Sequence, residues 1–326
     1  MLTRAHYTNL CLLAILLCAP LVSSKASSLS QANEALQRGR VDEATTQLQT
    51  ILANQPGNAQ AHQLLCRSFY AQDLADPSIH ECELAVANAP NDSANHLWLG
   101  RAYGLKASHA GPFTALGLAK KVRSEFEMAV GADPNNVHAA SDLGEFYIGA
   151  PGIVGGGVDK AEDLAARIQT HFPAQAHRLR ALIALKKKDS VTAESEFKAA
   201  VSASRSPEAY IDLASFYQRH DNPDLAVATI KSAIAADSAK DDALVDAASI
   251  LISAHRSPEL AERLLREYLT SPARSDATPA FKVHLQLGKL LDQRGDHAAA
   301  HNEYTAALAL ASNFVPARKA LQPHGT

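Results

Sequence analysis

Residues 281–314 read FKVHLQLGKLLDQRGDHAAAHNEYTAALALASNF, a 34-residue unit in two halves. The first half carries the pair Leu287-Gly288, with Leu291 three residues after the glycine. The second half opens at Ala300 and places Tyr304 four residues later, on the same face of one helix. Working outward, residues 59–92 repeat the scheme with Leu65-Cys66, Phe69 and a closing Pro90. Pro56 and Pro90 are 34 residues apart, and Pro173 and Pro207 are again 34 apart. Pro134 and Pro272 continue the series, with Ser238 in an intermediate slot. Leu99-Gly100 with Tyr103, and Leu143-Gly144 with Tyr147, fill further first helices, and Trp98 precedes one of these pairs. Ala44, Ala161, Ala193, Ala226, Ala261 and Ala300 each open a second helix at a crossing too tight for a larger side chain. Leu48, Phe197, Ile230, Leu265 and Tyr304 follow these alanines by four.

Self-similarity at such a period means a stacked array, because one unit cannot bury its apolar face alone. The pattern resembles the tetratricopeptide repeat, a helix-turn-helix with Leu-Gly, an aromatic, Ala, an aromatic, Ala and Pro. The resemblance implies an all-α, right-handed solenoid of about eight units. They start near residues 25, 59, 93, 137, 174, 207, 242 and 281, the first and seventh degenerate. Residues 314–322 are expected to form a closing helix. The resemblance further implies a concave groove that binds a protein or peptide, and no reaction. On that register the inner faces of the first helices carry Gln63, Arg67, Tyr70, Leu97, Arg101 and Glu145. The set is mixed polar and aromatic and has no Lys and Asn cluster to clamp a terminal carboxylate.

Two segments depart from the period. Residues 105–114 and 150–160 read as loops at the same place in consecutive units, emerging close together on one edge of the array. The second, with Gly155-Gly156-Gly157 and Lys160, lacks the Gly-Lys-Ser/Thr ending and preceding strand of a phosphate loop. Its glycines are read as a wide turn.

Composition agrees with stacked helices. The chain is 47% hydrophobic and only 6% aromatic. It is rich in alanine, the best helix former. Its formal net charge is −3, and no basic stripe is present, which argues against nucleic acid as a partner. Lys186-Lys187-Lys188 reads as a solvated helix end.

Residues 1–26 have the order of a secretory signal: Arg4 and His6, an apolar run from Leu10 to Val22, then Ser24-Lys25-Ala26. The expected mature chain begins near Ser27, is periplasmic or secreted, and makes no stable membrane insertion. Cys11 and Cys18 follow leucines rather than small residues, which disfavours lipidation.

Chemistry-bearing patterns are sparse. His297 and His301 share a helix face beside Asp296, but no third ligand is near, so no metal site is expected. The other histidines read as scattered. Asp241-Asp242, and Glu81 with Glu83, read as acids at helix starts or on exposed faces. No Gly-X-Ser-X-Gly or His-Glu-X-X-His pattern occurs, and neither an enzyme nor a cofactor is expected. Cys66 and Cys82 remain after the signal. They lie 16 apart across one antiparallel hairpin, where a disulfide and two buried thiols are both open. The function expected is an exported interaction scaffold. The alternative is an envelope-assembly subunit acting through the ends and edges of the array.

Overall fold

A computed structural model describes residues 28–322; the expected signal segment 1–26 lies outside them. The described residues form eight antiparallel helix pairs and a short final helix, with no strand. The pairs are α1 (Leu29–Gln37) with α2 (Val41–Asn54), α3 (Ala59–Ala71) with α4 (Ala75–Asn88), and α5 (Ser93–Ser108) with α6 (Pro112–Ala132). Next come α7 (Val137–Gly149) with α8 (Val158–Ile168), α9 (Pro173–Lys186) with α10 (Ser190–Ser204), and α11 (Pro207–Arg219) with α12 (Pro223–Ala236). Then follow α13 (Ala243–Ser253) with α14 (Pro258–Thr270), α15 (Ala280–Gln293) with α16 (His297–Leu310), and finally α17 (Val315–Ala320).

Local chemistry sets these boundaries. Asn58, Asp92, Asn136 and Ser206 each cap a first helix by accepting a backbone N–H from its first turn. The first unit begins later than its register suggests: Ser28 caps α1 and pairs reciprocally with Gln31. Between the helices of six pairs the chain turns through a left-handed residue, at Gly39, Asp73, Lys188, Asp221, His255 (with Ser257) and Gly295. Ala44, Ala161, Ala193, Ala226, Ala261 and Ala300 are at most 1% exposed at the crossings. A Cβ at Gly100 would sit 2.5 Å from the Phe126 ring, and one at Gly144 would sit 2.5 Å from Leu179. The helices are therefore in close contact there, which is why the period demands small residues.

The expected loop at 105–114 is mostly helix. Residues 105–108 extend α5 and Pro112 opens α6 at its first position, leaving a short turn. Leu105, Lys106 and Ala107 are good helix formers, so the extra sequence lengthens both helices instead of bulging. The second expected loop ends at Gly157, since 158–160 already belong to α8. A short 3-10 turn at Gly152–Val154 packs it against Arg123 of α6. Lys160 donates to the Gly155 carbonyl at 2.9 Å and lies over the Tyr147 ring, so its charge staples the turn.

The array closes on itself. Gly39, in the first turn, faces Ala280 at the start of α15, and a Cβ there would lie 2.7 Å from the Ala280 nitrogen. The Ser312 N–H donates to Asp42 at 2.7 Å, and Lys282 pairs with Asp73 at 2.9 Å. One hydrophobic core accordingly runs through the first units and the last ones, from Leu36 and Leu48 to Phe281 and Phe314.

Candidate functional site: an arginine and tryptophan cluster in the groove

The inner faces of α3, α5 and α7 meet at Trp98, the single tryptophan of the chain. The Arg67 guanidinium lies 5.1 Å from the centre of its ring and that of Arg101 lies 4.7 Å away. Tyr70 meets the same ring edge-on at 5.5 Å. Each contact is favourable because a cation or a ring edge faces the negative π surface. Burial pushes the Tyr70 hydroxyl above its ordinary pKa, against the opposing pull of Arg101. A recess of about 630 Å³ opens beside the cluster, lined among others by Gly104, Ser108, Glu145 and Ala277.

The arginines of this face are held by carboxylates. Arg101 donates to Asp142 at 2.6 Å. Arg178 bridges Glu145 at 2.7 Å and Asp212 at 2.9 Å. Arg67 donates through two nitrogens to Asp276, at 2.8 and 2.5 Å, a partner 209 residues away. Further round, several acids gather about Asp246. Asp246 is exposed at its tip, yet partial burial and then the charges of Asp242, Asp212, Asp241 and Glu208 push its carboxyl up to about 6.

Of the six residues that the register placed on this face, Arg67, Tyr70 and Arg101 are brought together. Gln63 donates to Asn95 at 2.7 Å on a neighbouring first helix, and Glu145 binds Arg178 at the rim. Leu97 does not line the groove: it is 4% exposed and packs in the core, because the inner face of α5 is turned toward Trp98 and Arg101. Trp98, Asp142, Arg178 and Asp276 were missed. The lateral pairs had a signal, since Ser141 and Gln175 bond at a separation of 34, as do Arg178 and Asp212. Asp276 had none.

The histidines and acids read as incidental are structural. His62, His96, His177 and His284 pair through Nδ1 with Glu81, Glu125, Glu196 and Glu303 at 2.6–2.7 Å, tying first to second helix in four units. In the two most buried, Nε2 meets the Pro56 or Pro90 carbonyl. Glu83 and Glu127 instead accept from Tyr103 and Tyr147 of the following unit, which burial and this hydrogen bond push above the usual tyrosine range. Asp242 accepts from Ser275 and Tyr268. Their spacing follows the repeat, so the same 34-residue register that found the alanines would have found His62 and His96. His297 bonds Asp292 at 3.0 Å, and Asp296 caps α16. Among the described residues no cluster of His, Cys, Asp and Glu is arranged to hold a metal. No described helix is long and apolar enough to cross a membrane.

Cys66 and Cys82 are placed as a bonded pair across α3 and α4, with Cα atoms 5.2 Å apart. Ser78, standing where other units have alanine, is fully buried and donates to the Cys66 carbonyl at 3.1 Å, so its hydroxyl is satisfied.

These features define a helical solenoid of the tetratricopeptide-repeat type. The tetratricopeptide repeat family matches residues 29–93. No curated protein matches the chain. Among solved structures, yeast Tom70 aligns with a TM-score of 0.54 and 15% identity over 91% of this chain and 63% of its own. A thermophilic repeat protein of Thermus thermophilus aligns at 0.44 and 18% identity, covering 69% of this chain and all of that one. One from Parabacteroides merdae aligns at 0.44 and 14%, covering 90% and 95%. Repeats of this type generally act as protein-interaction scaffolds.

Proposed function

We propose that the chain is an exported, non-enzymatic scaffold that takes an extended segment of a protein partner into its groove. The carrying observation is the Arg67, Tyr70, Trp98 and Arg101 cluster, where a large aromatic sits partly exposed between two cations beside an open recess. Tryptophan, tyrosine and arginine are the side chains that most often dominate binding energy when set in such a pocket. The expected export rests on residues 1–26 alone. The envelope-assembly alternative needs free ends for stacking, and here the first and last units meet each other. The edge retains one feature in its favour: Phe113 and Ile153, on the lengthened units, are 92% and 74% exposed.

The test is capture of partners from an envelope extract with the mature chain, repeated with Tyr70→Ala/Arg101→Ala. The groove reading expects loss of the captured protein with helix content unchanged. Undiminished capture by that variant, with loss on Phe113→Ser/Ile153→Ser, would transfer the function to the edge.

A further inference from the structure

The groove already contains a piece of its own chain. Elsewhere one unit passes to the next through a short turn, but between α14 and α15 residues 271–279, SPARSDATP, form an irregular strap. Its base is fastened to the later units. Tyr268 Oη lies 2.7 Å from the Thr278 carbonyl and accepts from the Ser275 N–H at 3.0 Å, and Ser275 Oγ donates to Asp242 at 2.6 Å. Its tip crosses to the early units. Asp276 reaches the Arg67 fork, its side chain only 7% exposed, and Ala277 borders the recess beside Tyr70 and Trp98.

We propose that this strap is a built-in occupant of the groove, and that the partner is an acidic extended segment whose carboxylate replaces that of Asp276 on Arg67. The proposal rests on the groove reading above and adds the chemistry of the ligand. Three observations carry it. First, the Arg67 fork is made for a carboxylate: two parallel N–H donors meet two oxygens. Second, Arg67 is largely desolvated, with its side chain 19% exposed. A neutral or cationic segment that displaced the strap would strand a guanidinium without a counter-charge, which is strongly unfavourable. Exchange of one carboxylate for another keeps the pair, and releases Asp276 to water. Third, the tip joins the early units through the Asp276 carboxylate. The Asp276 carboxylate is held by Arg67, whereas the hydrogen bonds of Ser275 and Thr278 run to Tyr268 and Asp242 on its own side. The small Ala277 methyl leaves the recess beside Tyr70 and Trp98 open to a larger side chain following the incoming acid.

The probe is the synthetic peptide SPARSDATP with both ends blocked, so that its only carboxylate is the aspartate side chain. Fluorescence of Trp98, with no other tryptophan to obscure it, reports occupancy. On the wild-type chain the tethered strap competes at an effective concentration on the order of millimolar, so micromolar peptide leaves the emission unchanged. On Asp276→Ala, and on Asp276→Asn, the peptide binds, and its own Asp276→Asn version binds at least about tenfold more weakly, as expected for a lost charge-assisted pair. Arg67→Ala combined with Asp276→Ala removes the discrimination. Equal binding of the two peptides, or no binding to either Asp276 variant, overturns the proposal. So does loss of helix content in both variants, which would make the strap a structural seal. These outcomes are separate from the groove test: a partner lost on Tyr70→Ala/Arg101→Ala but indifferent to Asp276 keeps the groove and discards the strap, whereas a partner retained by the former variant discards the groove itself.

Discussion

Removing the Cys66–Cys82 bridge lowers the stability of the α3–α4 hairpin by about 3 kcal/mol, the value expected in the chain-entropy treatment for a closed loop of this size. The two cysteines are 16 apart in sequence and wholly buried, with Cα atoms 5.2 Å apart. Replacing both by alanine takes away little volume and leaves no polar group unpaired. The Ser78 hydroxyl keeps its bond to the carbonyl of residue 66, which belongs to the backbone. The loss therefore falls mainly on the unfolded ensemble, which gains the freedom the bridge had removed. With a urea dependence of roughly 3 kcal/mol per M, the midpoint falls by about 1 M. The assay compares urea unfolding of the oxidised chain and of Cys66→Ala/Cys82→Ala by circular dichroism, after thiol counting on the unfolded, unreduced protein. No free thiol at these positions and the lower midpoint are expected. Two free thiols in protein recovered from its native compartment, or coincident midpoints, would refute the reasoning. Because repeat units couple chiefly to their neighbours, the loss should appear first in the early units.

Other perturbations test the packing and electrostatics. Gly144→Val drives a branched side chain into Leu179, at a crossing where even a Cβ would lie 2.5 Å away, and should lower stability by about 2–3 kcal/mol, read as a drop in thermal midpoint. His96→Ala leaves Glu125 without its 2.7 Å partner in a site where the histidine is 2% exposed; a loss of roughly 2–4 kcal/mol is expected, and an unchanged midpoint would contradict the pairing. Asp246 has a raised folded-state pKa, so the fold favours its protonated form, and its contribution is lost as pH rises from the usual carboxylate range through about 6. Asp246→Asn should accordingly raise stability near pH 8 by roughly 1 kcal/mol, after discounting for the water that reaches the side chain, and do nothing at pH 4. N-terminal sequencing of the native protein should begin near Ser27 and not at Met1.

The sequence by itself determined the unit. Helix faces repeat because contacts inside a pair join residues about half a period apart, and contacts between one pair and the next join residues about one period apart. Leu287-Gly288, Ala300 and Tyr304 could thus be read as a crossing from their spacing alone, and so could the lateral position of Arg67, Tyr70 and Arg101. Where local propensity overrode the period, the reading failed: residues 105–108 continue α5 because nothing in them stops a helix. Leu97 failed for a different reason, since a small rotation of α5 decides whether the core or the groove receives a given position. Only the tertiary structure decided that the array closes, that Asp276 meets Arg67, and that the groove arginines are neutralised. Solenoid curvature is the sum of small rotations at each interface, set by how side-chain volumes interlock. No local pattern states that sum, so a contact spanning 209 residues leaves no mark in the repeat.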